Sequence, residues 1–561
     1  MAANDELVFL PLGGVGEIGM NLALYGFGRR EHRKWIMVDC GVSFAGPDLP
    51  GVELILPDIR FIESQLDNLL GLFITHAHED HYGAVRDLWP RLNVPLYASP
   101  FTAGMLEAKG DYEKGKDKIP VKNLQPGMKI QMGGRIELGP FEIEFIPMAH
   151  SIPESAALAI RTPAGLLLHT GDWKIDPAPS LGKGTDENRF RELGDEGVLA
   201  LICDSTNAQR EGVSPSEMEV LASLTEIIRN AKGRVAVTTF SSNVGRIKSI
   251  ALAAEDAGRE VLLLGSSMRR VTNVADDLGM LEDIESFIAE DEFGYLPREN
   301  AVVILTGSQG ESRAALAKIA RDEMRNIGFT KGDTFVFSSR TIPGNEKAIL
   351  EIKNALIDQG MVVISDTDAL VHVSGHPRQG ELKRMYEWTR PQILVPVHGE
   401  AAHLHAHADL GRAAGIATVA EVRNGGMLRL APGPVEIIDQ APHGRIYKDG
   451  TLIGDIDEMG IGDRRKLSFA GHVAVNIILD NRYDFLDDPD VTAFGLPAED
   501  VDGEDMEDLL YDAVLSAVES IPRVKRKDLD MVKEAARRAV RSAANNAWGK
   551  KPIVTVFVTR V

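Results

Sequence analysis

Three histidines and an aspartate stand within six residues in Thr75-His76-Ala77-His78-Glu79-Asp80-His81, directly after the apolar run 72–74. Neutral imidazole and carboxylate are donors that suit zinc or manganese. On a tight loop they can be turned toward one point, whereas burying them with neither ligand nor partner is costly. A solvated histidine-rich loop has the same composition, but so dense a cluster speaks against it. Further ligands belong at other strand ends that reach the same edge. His150 follows the run Phe141–Pro147, Asp172 follows 166–170 and His398 follows Ile393–Val397, and strand-end loops are where sheet scaffolds carry their sites. Each of the three alone reads equally well as a hydrogen-bonded structural residue. Their joint placement points to metal.

The elements that must position these residues begin with short apolar segments over the first two hundred residues. Leu7–Leu12, Trp35–Val38, Leu72–Thr75, Phe141–Pro147, Leu166–His169 and Val198–Cys203 read as strands. Asn21–Phe27 and Phe141–Ile146 alternate as antiparallel strands with one wet face do. From Ser205 to Ser365 the rhythm becomes strand then helix, repeated four times, which predicts a parallel sheet wound with helices and hence a second domain. Gln392–Val397 returns to a strand. His443–Gly454, rich in glycine and polar residues, reads as a linker. The end differs again: 480–519 carries 14 acidic residues and 1 basic, 523–551 carries 10 basic and 3 acidic, and a helix over Leu529–Ala547 leads to a closing strand.

The set His76-x-His78-x-Asp80-His81, His150 and Asp172 in Thr170-Gly171-Asp172 resembles the metallo-β-lactamase superfamily of binuclear hydrolases. The inserted strand–helix domain, with Asp204 in Cys203-Asp204-Ser205-Thr206-Asn207, His376 in Ser374-Gly375-His376 and His398 in Pro396-Val397-His398-Gly399, resembles its β-CASP nuclease branch. Gly13–Asn21, His372-Val373-Ser374-Gly375-His376 and Ser338–Glu346 are similar to bacterial ribonuclease J, over about Leu7 to Gly454 and in outline beyond. The fold class implied is α/β: a metallo-β-lactamase αββα sandwich interrupted by a β-CASP strand–helix domain, plus a small α+β C-terminal domain. The boundaries expected are 1–205 and 366–442 for the sandwich, 206–365 for the insertion, 443–462 for the linker and 463–561 for the terminal domain.

The resemblance also implies the chemistry. His76, His78 and His150 hold one Zn²⁺, Asp80, His81 and His398 the other, and Asp172 bridges them, with Mn²⁺ or Mg²⁺ as substitutes. Hydroxide attack on the phosphodiester at such a di-zinc centre leaves a 5′-phosphate. His376 either hydrogen-bonds the scissile phosphate or protonates the leaving group, and Asp204 orients a metal-ligating histidine. His372, Val373, Ser374, Gly375 and His376 form the substrate loop; Thr239–Asn243 and Arg340 add to the phosphate pocket or merely pack. Histidine at 398, where DNA-processing members carry valine, implies single-stranded RNA as the substrate. The family combines 5′-to-3′ exonuclease and endonuclease action, favours 5′-monophosphate RNA, serves rRNA processing and mRNA decay, forms homodimers or homotetramers and has partners in RNA-degradation complexes. Other readings are a binuclear hydrolase of another ester, which needs no inserted domain, and a silent RNA-binding scaffold, which has no need of a complete ligand set.

Composition sets the remaining bounds. At 561 residues several domains are expected, and 44% hydrophobic with 26% charged residues excludes disordered and fibrous classes. No apolar run reaches the ~18–20 residues that span a bilayer, no secretory leader is visible, and two cysteines make no disulfide framework, so a cytoplasmic protein is expected. The net charge of −22 argues against nucleic acid as a partner. Yet an average over the surface does not describe a cleft, where bound cations are the largest local charges; Arg234, Arg246, Lys248, Arg269, Arg270, Arg340 and Arg378 are candidate phosphate contacts. Gly14-x-Gly16-x-x-Gly19 with Asp39 mimics a dinucleotide fingerprint, but the residues after Gly19 alternate as a strand, leaving no helix to receive a pyrophosphate. His403, His405 and His407 share no three-ligand face on a helix.

Overall fold

The computed structural model describes residues 5–112, 119–123 and 135–561. Glu6–Gly13 is buried almost throughout, and it pairs antiparallel with Leu22–Gly28 on one side and Gly426–Ala431 on the other. Glu436–Gln440 closes that edge of an eight-stranded sheet; toward the other edge run Lys34–Val38 and then, mutually parallel, Leu69–Phe73, Leu96–Ala98 and Val121–Asn123. A second sheet of seven strands begins as an antiparallel meander, Ile136–Leu138, Phe141–Pro147, Ala156–Thr162 and Gly165–His169. It continues in parallel through Val198–Asp204, Ile393–Val397 and Thr418–Val419. Phe9, Tyr25, Ile36 and Phe73 of the first sheet meet Phe145, Leu158, Leu167 and Ile202 of the second in one core. The outer face of the second sheet is covered by Phe190 and Leu193 of helix Glu187–Glu196 and by Leu382, Met385 and Trp388 of helix Gln379–Thr389. This is the αββα layering.

The insertion is a five-stranded, all-parallel sheet in the order Glu260–Leu264, Ala301–Leu305, Val235–Thr238, Thr334–Phe337, Val362–Ile364. Its strands are continuous apolar runs because both faces are covered, with Leu305, Phe335 and Leu316 in one core and Val237, Val336 and Ile250 in the other. Glu217–Asn230, a helix that the strand–helix rhythm did not include, leads into it from a reciprocal cap between Ser216 and Glu219. The residues after Gly19 do run on as a strand.

The chain divides into two compact units, 1–43 with 56–444, and 44–55 with 445–561. In the second, the stretch read as a linker carries the hairpin Arg445–Asp449 and Leu452–Gly454, and Glu53 N–H donates to Lys448 O. A three-stranded sheet, Asp490–Phe494, His472–Leu479 and Ile553–Arg560, packs Val475 and Ile477 on Leu510, Val514, Val532 and Val540. Those last four come from helices Met506–Glu519 and Leu529–Trp548. The acidic run thus includes a helix: Asp505 caps it, and Glu507 and Asp508 sit in its first turn, where the helix dipole favours negative charge.

One expected phosphate contact is a strut. Arg246 is fully buried and donates to Glu217 Oε2 at 2.7 Å, Ser338 Oγ at 2.7 Å and Val371 O at 2.8 Å. Glu217 also meets Lys174, which pairs with Asp176 at 2.9 Å. The network ties the insertion's first helix to the root of the loop 371–376. Arg246→Ala leaves a buried carboxylate short of its partner and is expected to cost about 3–5 kcal/mol, read as an earlier urea transition.

Candidate metal centre

The histidine-rich loop leaves strand Leu69–Phe73 and turns at once into the short helix Glu79–Tyr82. Its anchor is Asp39, at the end of the neighbouring strand, with φ of 63°. One carboxylate oxygen of Asp39 takes the Thr75 N–H at 2.8 Å; the other takes the Thr75 hydroxyl at 2.9 Å and His81 Nδ1–H at 2.7 Å. Since the threonine proton is spent on Asp39, its lone pair receives His76 Nδ1–H at 3.0 Å. In their neutral form both imidazoles thereby keep Nε2 free of a proton and turned inward, as metal ligands must. Close approach requires glycine at position 41, where a Cβ would lie 1.7 Å from Asp80 O. His150 donates Nδ1–H to Gly375 O at 2.7 Å, and a Cβ on Gly375 would stand 2.6 Å from the His150 ring.

Two donor sets result, His76, His78, His150 with Asp172, and Asp80, His81, His398 with Asp172, each with all its ligand atoms within 4.8 Å of one another. Asp172 Oδ2 is 3.8 Å from His76 Nε2, 3.7 Å from His150 Nε2 and 3.3 Å from His81 Nε2. His398 Nε2 is 3.3 Å from Asp80 Oδ2. Four donors ~2.0–2.1 Å from one zinc lie roughly 3.3 Å apart, so these separations suit a shared cation. His78 Nδ1 is 3.1 Å from His76 Nε2 and 3.0 Å from His150 Nε2, and one proton cannot serve both contacts. Asp172 Oδ1 is buried without a hydrogen-bond partner although His398 Nδ1 is 2.9 Å away: the distance is short but the direction is wrong. A cavity of about 30 Å³ lies among Asn21, His81, Asp172 and His398, room for a water-sized occupant. His398 holds a left-handed φ of 52°, strain of the kind found where a site dictates the backbone. The donor set fits divalent cations.

Electrostatics divides the imidazoles. Burial pushes His76 and His150 well below their usual range and His78 to about 4. Burial opposes charge on His81 and His398 too, but Asp172 and its neighbouring carboxylates outweigh it and raise both. Asp172 itself, despite burial, is held well below the carboxylate range by His398 and His81.

Asp204, expected to orient a metal-ligating histidine, faces His398 and also holds His376. Its Oδ2 takes His376 Nδ1–H at 2.8 Å and its Oδ1 the Thr206 N–H, with His398 Nδ1 farther off at 3.5 Å. Asp204, His376, Asp172 and His398 form a third cluster of possible ligands. In the loop 372–376, Val373 packs into the insertion's core, His372 Nδ1 is buried without a partner, and Ser374 Oγ accepts from Asn207 Nδ2 at 2.9 Å. Thr239 is spent on Ser338 O. Of the other basic candidates, Lys248 pairs with Asp283, Arg269 with Glu290, and Arg234 donates to Gly328 O. His407 is buried against Ser205 Oγ while His405 is exposed. Sequence reasoning missed the part played by Asp39, weighing it only as a nucleotide-fingerprint acid; an acidic residue closing the strand beside the histidine loop was the available signal.

The fold and this donor cluster define a β-CASP metallo-hydrolase, and family profiles agree. Residues 34–193 match the beta-lactamase superfamily domain, 232–356 the ribonuclease J beta-CASP domain, 361–420 the Zn-dependent metallo-hydrolase RNA specificity domain and 459–561 the ribonuclease J C-terminal domain. The chain is 69% identical over 561 residues to ribonuclease J of Sinorhizobium meliloti, covering 100% of this chain and 98% of that protein. It is 36% identical over 558 residues to ribonuclease J of Corynebacterium glutamicum, covering 99% and 76%. A crystal structure of an Enterococcus faecalis protein of unknown function shares the fold, with a TM-score of 0.51 and 16% identity over 76% of this chain and 100% of that one. The chain belongs to the ribonuclease J family and is an RNA-hydrolysing enzyme. Among the described residues no helix is long and apolar enough to cross a membrane.

Asp39→Ala removes the acceptor that aims His81 and, through Thr75, His76. Loss of such an outer partner typically costs about 10–100-fold in metal affinity; competition titration against a chelator is expected to read it.

Proposed function

We propose that His76, His78, His150 and Asp172 hold one zinc, that Asp80, His81 and His398 with Asp172 hold the second, and that the centre cleaves single-stranded RNA. The observation that carries this is the meeting of both histidine sets on Asp172. Bound there, two divalent cations supply Lewis acidity to phosphoryl oxygens and lower the pKa of water. Water adds to phosphorus in line, the P–O3′ bond breaks, and the products are a 3′-hydroxyl and a 5′-phosphate. Asp204 fixes His376 through Nδ1; burial opposes its charge, but Asp204 and Asp172 raise it above the usual histidine range. With Nδ1 spent on Asp204, His376 has Nε2 free to face substrate, which suits it to act as the general acid for the leaving 3′ oxygen.

The enzyme acts as a 5′-to-3′ exonuclease and an endonuclease in rRNA processing and mRNA decay in the cytoplasm, as the resemblance implies. Two buried free cysteines suit that compartment. Assembly into dimers or tetramers uses the outward face of the terminal sheet, where Phe494 and Phe557 are exposed. For 5′-monophosphate preference there is a cavity of about 280 Å³ beside His150, lined by Ser151, Ser180 and Asn243 among others; ligand pockets run about 300–1,000 Å³. Asn243 Nδ2 is buried without a partner, while its Oδ1 caps helix Val244–Asp256 through Arg246 N–H.

The test is to incubate zinc-loaded protein with 5′-monophosphate, 5′-triphosphate and 5′-hydroxyl RNAs and to sequence the ends. Products with 5′-phosphates, fastest from 5′-monophosphate RNA, are expected; replacing Asp80 and His81 with Ala abolishes cleavage without unfolding, and retained activity sinks the reading. Asn243→Asp keeps the helix cap but sets a carboxylate against the terminal phosphate, so it is expected to cut the advantage of 5′-monophosphate over 5′-hydroxyl RNA by about tenfold, the worth of one charge-assisted hydrogen bond.

A further inference from the structure

Arg210, Arg340 and Arg378 come together beside the loop 374–376 from three separate segments. Asn207 is the hub. Its Nδ2 donates to Ser374 Oγ at 2.9 Å and His376 O at 3.1 Å, and its Oδ1 accepts from Arg340 Nη1 at 3.3 Å. Arg210 N–H donates to Asn207 O at 2.8 Å, and Arg210 O receives the N–H of Gln379, the residue after Arg378, at 2.9 Å. The Arg378 N–H is pinned by Glu381 Oε2 at 2.9 Å, and that buried carboxylate oxygen also takes Ser214 N–H and Oγ–H. The three backbones are thus stitched into one rigid rim of the catalytic loop.

The side chains have no anion of their own. Among the described residues none of the three forms an ion pair, although surface arginines elsewhere in this acidic chain are paired, Arg161 with Glu196 and Arg412 with Glu421 among them. Arg378 Nε is buried with no hydrogen-bond partner. Burial, and after it mutual repulsion, lowers the pKa of Arg210 and Arg340, with Asp366 the one carboxylate whose field opposes this. Gathered, half-buried guanidinium groups left to repel one another are costly until an anion joins them. Their planar forks match phosphate oxygens two at a time.

We propose that Arg210, Arg340 and Arg378 clamp a non-scissile backbone phosphodiester of the substrate RNA next to the catalytic loop. The site rests on the ribonuclease reading above. It is open to solvent, as a phosphate within a running strand requires, and it stands on the rim that carries Ser374 and His376. It also answers how a chain of net charge −22 grips a polyanion: a few unneutralised arginines at the cleft do what a basic surface does elsewhere.

The experiment measures KM for single-stranded RNA with a 5′-monophosphate or a 5′-hydroxyl, over about 50–300 mM potassium chloride, in the full-length zinc-loaded enzyme. The variants are R210Q/R340Q/R378Q and its lysine counterpart R210K/R340K/R378K. The glutamine variant is expected to raise KM about tenfold or more on both RNAs, and to flatten the salt slope by about 0.7, the share of one neutralised phosphate on a single strand. Lysine, which keeps charge but not the fork, retains the slope and so shows that folding is intact. An unchanged KM and slope in the glutamine variant overturns the clamp, as does a loss confined to 5′-monophosphate RNA, which would move the arginines to the 5′-end pocket. If the unsubstituted enzyme fails to cleave any of these RNAs, the ribonuclease reading falls and the clamp with it.

Discussion

Asp172 is a carboxylate 2% exposed to solvent with nitrogens of five histidines, from four segments, within 4 Å of its oxygens. Burying one carboxylate among so many imidazoles is tolerable only if every lone pair has somewhere to go. Most of the surrounding structure can be understood as meeting that condition. His76 and His81 spend their outer nitrogens on Thr75 and Asp39, His150 on Gly375 O, His376 on Asp204. What remains points inward. The inner nitrogens and carboxylate oxygens then face one another without enough protons to share, a conflict that bound metal would resolve.

Two sheets make this arrangement possible because their strand ends reach one edge. Asp39 and the loop after Leu69–Phe73 come from the first sheet; His150, Asp172, Asp204 and His398 come from ends of strands in the second. The strands are apolar and interlocked through one core, so the loops are held on rigid stems. The insertion approaches the same edge through the loop 371–376, and Arg246 and Glu381 hold that loop at its two ends. Gly375 lies against His150 with no room for a side chain, so loop and metal centre are set by one contact.

Charge is distributed on the same logic. The terminal acidic stretch does not account for a net −22, and the rest of the chain is acidic as well. Most arginines are spent on neighbours: Arg246 on a buried glutamate, Arg234 on a backbone carbonyl. An acidic exterior with unpaired guanidinium groups beside the site keeps casual polyanion binding weak while leaving the cleft attractive.

Much was legible in the sequence, and for physical reasons. Metal chemistry demands particular side chains at tight spacing, so His76 to His81 announce themselves, and strand–helix alternation announces a parallel sheet because such strands must be apolar throughout. His150, Asp172 and His398 stand at strand ends, where sites sit, and the fold brings them together. What the order of residues left open was every interaction made across the fold. Asp39 looks like any strand-ending acid until Thr75 and His81 are seen on it. Arg246 and Arg340 are alike in sequence, and only burial separates the strut from the open guanidinium. Arg210 drew no notice at all, because its meaning lies in Arg340 and Arg378, more than a hundred residues away. Residue types determined which chemistry is available to this protein; tertiary structure decided which of those groups are free to perform it, since burial and partner choice are properties of the packed chain.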